Sequence, residues 1–145
     1  MSKLLISVII FYGTAVILPQ GGQLDTDFGV DGKVVTNMEP ESDEWGYSTV
    51  VQPDGKIIVA GFAYNGPSSN ANFNVVRYNE DGTLDKTFGA AGRVTTDFSN
   101  SQDNINSSSA IAIQTDGKII VAGTSGVSDN NFAVVRYNSD GTLDT

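Results

Sequence analysis

An all-β fold of propeller-type blades is predicted by the sequence, and three observations predict it. The chain says one long phrase twice, opening with LDTDFGVDGKVVT at residues 24–36 and again with LDKTFGAAGRVTT at residues 84–96. Within each copy, short runs rich in β-branched and aromatic residues recur. Asp-Gly, a tight-turn pair, stands beside them at Asp31, Asp54, Asp81, Asp116 and Asp140. Self-similarity at this spacing marks a repeat architecture.

Two units follow from the phrase, residues 24–83 and 84–142, and residues 143–145 open a third. Each unit predicts four antiparallel strands. The first is GKVVT at 32–36, matched by GRVTT at 92–96. The second is YSTVVQ at 47–52, matched by SSAIAIQ at 108–114. The third is KIIVAGF at 56–62, matched by KIIVAGT at 118–124, and it is apolar on both faces, as a strand covered on both sides should be. The fourth is FNVVRYN at 73–79, matched by FAVVRYN at 132–138. Pro53-Asp54-Gly55 and Thr115-Asp116-Gly117 are short enough to make the second and third strands a hairpin. The Asp of each Asp-Gly is read as a turn residue, not a ligand. Phe28-Gly29 and Phe88-Gly89 would wedge the aromatic between neighbouring blades, the Gly turning the chain into an inner strand. A β-solenoid is the alternative fold, but its rungs are shorter and lack hairpin turns.

Composition narrows the function. There is no Cys, so no disulfide or thiolate metal site, and no His, the commonest general base and metal ligand. Net charge is −9, which argues against a nucleic-acid partner. The basic residues occur in repeat-matched pairs: Lys33 with Arg93, Lys56 with Lys118, Arg77 with Arg136. They are expected to pair with repeated acids such as Asp54, Asp81, Asp116 and Asp140. Ahead of the repeats, Lys3 precedes the apolar run LLISVIIFYGTAVIL. The run is shorter than the roughly 20 residues of a membrane span and fits a secretory leader. Residues 1–22 are therefore read as a signal peptide and linker, the cut falling after Ala15 or near Gly21 or Gly22. The mature chain is expected outside the cell with no membrane segment.

LDTDFGVDGKVVT, QPDGKIIVAG and VVRYNEDGTLD resemble the delta-60 repeat family, a bacterial propeller-type repeat of exported and surface proteins. The resemblance covers everything after Gly22. It implies a β-propeller fold and an extracellular setting. It carries over no catalytic residue, since the family has none established. This chain departs from the family's habit in having two units where members commonly carry many.

In a four-stranded meander the connections before the second strand and before the fourth emerge at one end. Those are the segments that differ between copies: residues 37–46 and 63–72 in one, 97–107 and 125–131 in the other. Functional residues favour such loops. The first unit places Glu39, Glu41, Asp43 and Glu44 there beside Trp45, Tyr47 and Tyr64. These seven are the candidate ligand-binding residues. The acids could give oxygen ligands to calcium, but no EF-hand spacing is present, and a solvated acidic loop is the plainer reading. NEDGTLD at 79–85 is a turn rather than a calcium loop. No metal, cofactor or catalytic residue is assigned.

The expected function is a non-catalytic surface module that presents its loops to a protein or glycan. The alternative is a carbohydrate-active enzyme or lectin on a propeller scaffold. Two blades leave two apolar flanks uncovered, and rings typically need four to eight blades. Either the chain is a fragment of a longer propeller, which the break inside Leu143-Asp144-Thr145 favours, or copies join head to tail as homo-oligomers. Mass spectrometry of protein recovered from the medium should not find the intact stretch of residues 1–18. Its retention would overturn the leader assignment.

Overall fold

The computed structural model describes residues 22–38, 42–64, 70–98 and 105–145. Among them are seven strands and no helix: β1 (Glu44–Val51), β2 (Ile57–Tyr64), β3 (Ala71–Tyr78), β4 (Arg93–Thr96), β5 (Ile105–Ile113), β6 (Ile119–Gly126) and β7 (Asn131–Tyr137). The apolar run read as a leader lies outside the described residues. So do parts of the loops that vary between the repeats.

β1, β2, β3 and β4 form one antiparallel meander, each pairing with the next. β5, β6 and β7 form a second. A single parallel pairing, Ala71 with Ile105, joins the two. The hairpins fall where Asp-Gly demands them. Gly55 and Gly117 take φ of 81° and 83°, and the preceding aspartates accept from the backbone N–H of Lys56 and Lys118. Adjacent antiparallel hairpins, not solenoid rungs, make up the fold.

The blade does not coincide with the sequence repeat. GRVTT was expected to open the second unit as an inner strand. It forms β4, and β4 pairs with β3 of the first, Phe73 opposite Thr96 and Val75 opposite Val94. It is therefore an outer strand, and Gly89 turns the chain outward. The reason is local. After β3 the turn at 79–83 sends the chain back along the free edge of β3, where Asp85 N–H donates to Arg77 C=O and Arg77 N–H to Gly92 C=O. Among the described residues the first blade thus has four strands and the second has three, rather than four each. Residues 32–36, the equivalent of β4, form no strand, and only Lys33 makes bridges, to Gly29 and Val30.

The core lies between the blades. Ile58, Ala60, Phe73 and Val75 of the first meet Ile119, Val121, Val135 and Tyr137 of the second, while β5 packs across β1, β2 and β3. Each Val, Ile or Phe among them contributes roughly 1.5–3 kcal/mol by leaving water. Phe88 is the expected wedge. It is fully buried, and a Cβ on Gly141 would stand 2.9 Å from its ring. Only glycine lets the second blade's turn approach that closely. Burial raises the Tyr137 phenol's pKa, against a hydrogen bond with Thr96 that acts the other way.

The repeated charges pair: Lys56 Nζ lies 3.6 Å from Asp54, as expected, but the closer partner is an acid outside the expected set. Arg77 Nε bonds Asp85 at 2.8 Å and Lys56 Nζ lies 3.2 Å from the same carboxylate. Lys118, Arg136 and Asp144 repeat the triad. Asp81 and Asp140 instead cap their own turns, each accepting from a Thr N–H and hydroxyl two residues on. Arg77 also lies 4.5 Å over the Phe88 ring and donates to Ser139 C=O, tying triad to wedge.

Burial pushes the Asp85 pKa up. Hydrogen bonds from Thr87, with Lys56 and Arg77, outweigh that and hold it well below the usual carboxylate range. A depressed folded pKa gives stability that is present above the unfolded value, about 4, and is lost as pH falls toward the folded one. The melting temperature should be flat above about pH 5 and fall below about pH 4. Asp85→Asn should flatten that limb and cost about 3 kcal/mol or more at neutral pH, because the pair is buried. Asp144→Asn should cost much less, since the side chain of its partner Arg136 is half exposed. Phe88→Ala should cost about 3–5 kcal/mol. Equal losses for the two aspartates in denaturant melts would refute this account of the triads.

Candidate functional site

Trp45 and Phe62 are register partners at the loop end of β1 and β2. Their rings stack at 4.9 Å with 19° between planes. Tyr64 meets them edge-on, 5.5 Å from Trp45 and 5.7 Å from Phe62. Tyr47 stacks on Phe62 at 5.8 Å. A register shift between Gly46 and Ser48 places it there. Such a bulge re-aims one side chain without breaking the strand. The result is a four-ring cluster whose outer members stay in water, Trp45 at 40% exposure and Tyr47 at 59%.

The second blade shows that the fold does not require these rings. It repeats the register and the bulge, between Ser108 and Ala110. The positions matching Trp45, Tyr47, Phe62 and Tyr64 hold Ser107, Ser109, Thr124 and Gly126. The same backbone forms with small polar residues, so the aromatic set answers to something other than folding.

Three of the seven candidates, Trp45, Tyr47 and Tyr64, are brought together. Phe62, assigned only to a strand in the sequence, is the ring that joins them. Its signal was available: Phe62 aligns with Thr124 directly after the identical KIIVAG phrase. Of the described acids, Glu44 lines one groove with Trp45 and Phe62. Glu44 folds back, its Oε1 accepting from Met38 N–H at 2.9 Å and from Ser42 Oγ at 2.6 Å. Asp43 meets the cluster through its main chain, its C=O accepting from Tyr64 N–H. Glu39 and Glu41 lie outside the described residues. Among the described residues no three His, Cys, Asp or Glu side chains are placed to hold a metal.

The shifted carboxylates, Asp81, Asp85, Asp140 and Asp144, are all shifted down, chiefly by hydrogen bonds from Thr83 at Asp81, Thr142 at Asp140 and Lys118 at Asp144. A general acid at neutral pH needs the opposite.

Residues 52–88 and 114–145 each match the sequence model of a family described as a domain of unknown function (DUF5122) beta-propeller. The repeats are therefore those of a β-propeller. Each match begins at the hairpin of a blade and runs through its third strand, and the first ends on the wedge Phe88. No curated protein matches the chain. The propeller repeats thus carry the interblade contacts, while Trp45 and Tyr47 lie ahead of the first matched stretch.

Replacing Trp45 and Tyr47 together by Ser, as in the second blade, should leave the far-ultraviolet circular dichroism unchanged. Its cost in denaturant unfolding should fall below the about 3–5 kcal/mol of a buried large-to-small change. A cost in that range would make the cluster part of the core.

Proposed function

We propose that this protein is a non-catalytic interaction module of the delta-60 type, exported by its leader, that binds a glycan through the Trp45 cluster. The observation that carries the reading is the exposed four-ring cluster on a blade whose twin does without it. Flat aromatic faces held rigid by mutual stacking offer an apolar platform at little entropic cost. The C–H face of a sugar ring suits such a platform. Glu44, on the same groove wall as Trp45 and Phe62, can accept from a sugar hydroxyl at its rim. Loops at this end are where a propeller can vary without disturbing its blades.

The absence of His and Cys and the downward shift of the perturbed carboxylates support binding rather than turnover. A protein ligand would use the same apolar platform, and it becomes the better reading if glycans fail.

Trp45 is the chain's single tryptophan, so its fluorescence reports the cluster alone. Titration with a panel of soluble polysaccharides should change that emission saturably, and Tyr47→Ser should weaken the response at least tenfold. No new reducing ends should appear on long incubation. An emission unmoved by every glycan would defeat the proposal. So would sugar release that is lost on mutating the loop acids.

A further inference from the structure

The two blades are built from equivalent residues, so their faces can be compared position by position. The first blade offers the second a plug: Ile58, Ala60, Phe73 and Val75, each fully buried. The second receives it on Ile119, Val121, Val135 and Tyr137. Phe73 enters over Gly123, where a Cβ would stand 2.9 Å from its ring, and meets Phe98 edge-on at 4.8 Å.

Each face recurs on the opposite flank. On the second blade the plug positions are Ile120, Ala122, Phe132 and Val134, and here Phe132 is 100% exposed and Val134 62%. On the first blade the socket positions are Ile57, Val59, Gly61, Val76 and Tyr78. All but Ile57 line an open groove of about 270 Å³. Its far wall is the N-terminal segment, through Val35, Thr36 and Met38. That segment sits as β4 sits against the second blade. Tyr78 donates to Thr36 Oγ1 as Tyr137 bonds Thr96, and Gly29 N–H donates to Asp81 C=O as Gly89 does to Asp140. Met38 lines the groove at the position that matches Phe98 in the repeat.

We propose that the occupant of this groove is a second copy of the chain, docked head to tail by Phe132 entering over Gly61. The chain carries both halves of the contact, and the docking continues an interface it already makes internally. A backbone pairing completes it. Among the described residues the Phe132 end of β7 pairs with β6 alone, whereas β3 has β4 on its other edge. The β3–β4 register, repeated between copies, sets Phe132 opposite Thr36 and Val134 opposite Val34. Val35, 97% exposed, thereby joins a strand. An open edge accepts such a strand by ordinary ladder hydrogen bonds. At the junction, Leu143-Asp144-Thr145 of one copy takes the place of Leu24-Asp25-Thr26 of the next. The latter three are exposed and give way.

The groove shares Trp45 and Phe62 with the aromatic cluster, but docking is read by particle size and cross-linking, which can fail while glycan binding holds. Light scattering on the purified chain should show a discrete particle of about two to four copies, enough for four to eight blades. Phe132→Glu should reduce it to single chains with unchanged circular dichroism, because a fully exposed side chain has no part in folding the monomer. The chain has no Cys, so engineered thiols report cleanly. Val34→Cys mixed with Val134→Cys should give a covalent dimer on oxidation, and Val34→Cys mixed with Thr49→Cys should not. A wild-type monomer at tens of micromolar would overturn the proposal. So would a particle that survives Phe132→Glu, or one in which the matched thiols fail to cross-link.

Discussion

Burial of one blade's face against the next is the constraint on which the rest of this structure depends. Neither meander has a core of its own. The fully buried side chains, Phe73, Phe88 and Tyr137 among them, lie at or beside the seam. A single twisted sheet of three or four strands buries too little surface to offset the entropy of ordering it. What is repeated in the sequence is therefore the seam more than the blade. Phe-Gly, Asp-Gly and Val-Val-Arg-Tyr each supply part of a contact that crosses it.

The polar groups obey the same constraint. Arg77 faces three ways, to Asp85 in its own blade, to the Phe88 ring and to Ser139 in the next. A guanidinium suits this position because its planar fork can bond at the edge while its face stacks. Its twin Arg136 has the acid but neither the ring nor the next blade among the described residues, and it is exposed. One motif thus gives a buried triad at a covered seam and a solvated triad at an open one. Their energies differ because the covered triad is shielded from water and also holds the Phe88 ring, Ser139 and Thr87.

Most strands were legible because β-branched runs and Asp-Gly turns act locally, and each named strand falls within a few residues of its predicted place. Strand order was not legible. GRVTT reads the same whether it opens one blade or closes another, and only the pairing of Val94 with Val75 decides. Of the expected ionic pairs Lys56 with Asp54 forms, and the closer partner of the basic residues is hidden for a related reason. The four acids named sit in turns next to strands, but a turn aspartate spends its oxygens on its own backbone, as Asp81 does on Thr83. Asp85 was overlooked because it looked like part of a connection. In the candidate site, Trp45, Tyr47 and Tyr64 could be found from their departure from the repeat. The clustering around Phe62 depended on cross-strand register, and the folding back of Glu44 on a loop that periodicity does not describe.

The offset between repeat and blade has a consequence for how such a chain can lengthen or shorten. Because β4 is encoded by the following unit, every blade is fastened by its neighbour's opening words, as bricks in staggered courses are. Gain or loss of one whole period anywhere along the phrase restores the same joints, with no new kind of contact to be found. A cut at the visible sequence boundary does something different. It strips the outer strand from the blade behind and leaves the piece ahead carrying a strand that belongs elsewhere, so the natural unit of excision runs from the start of one β1 to the end of the next β4.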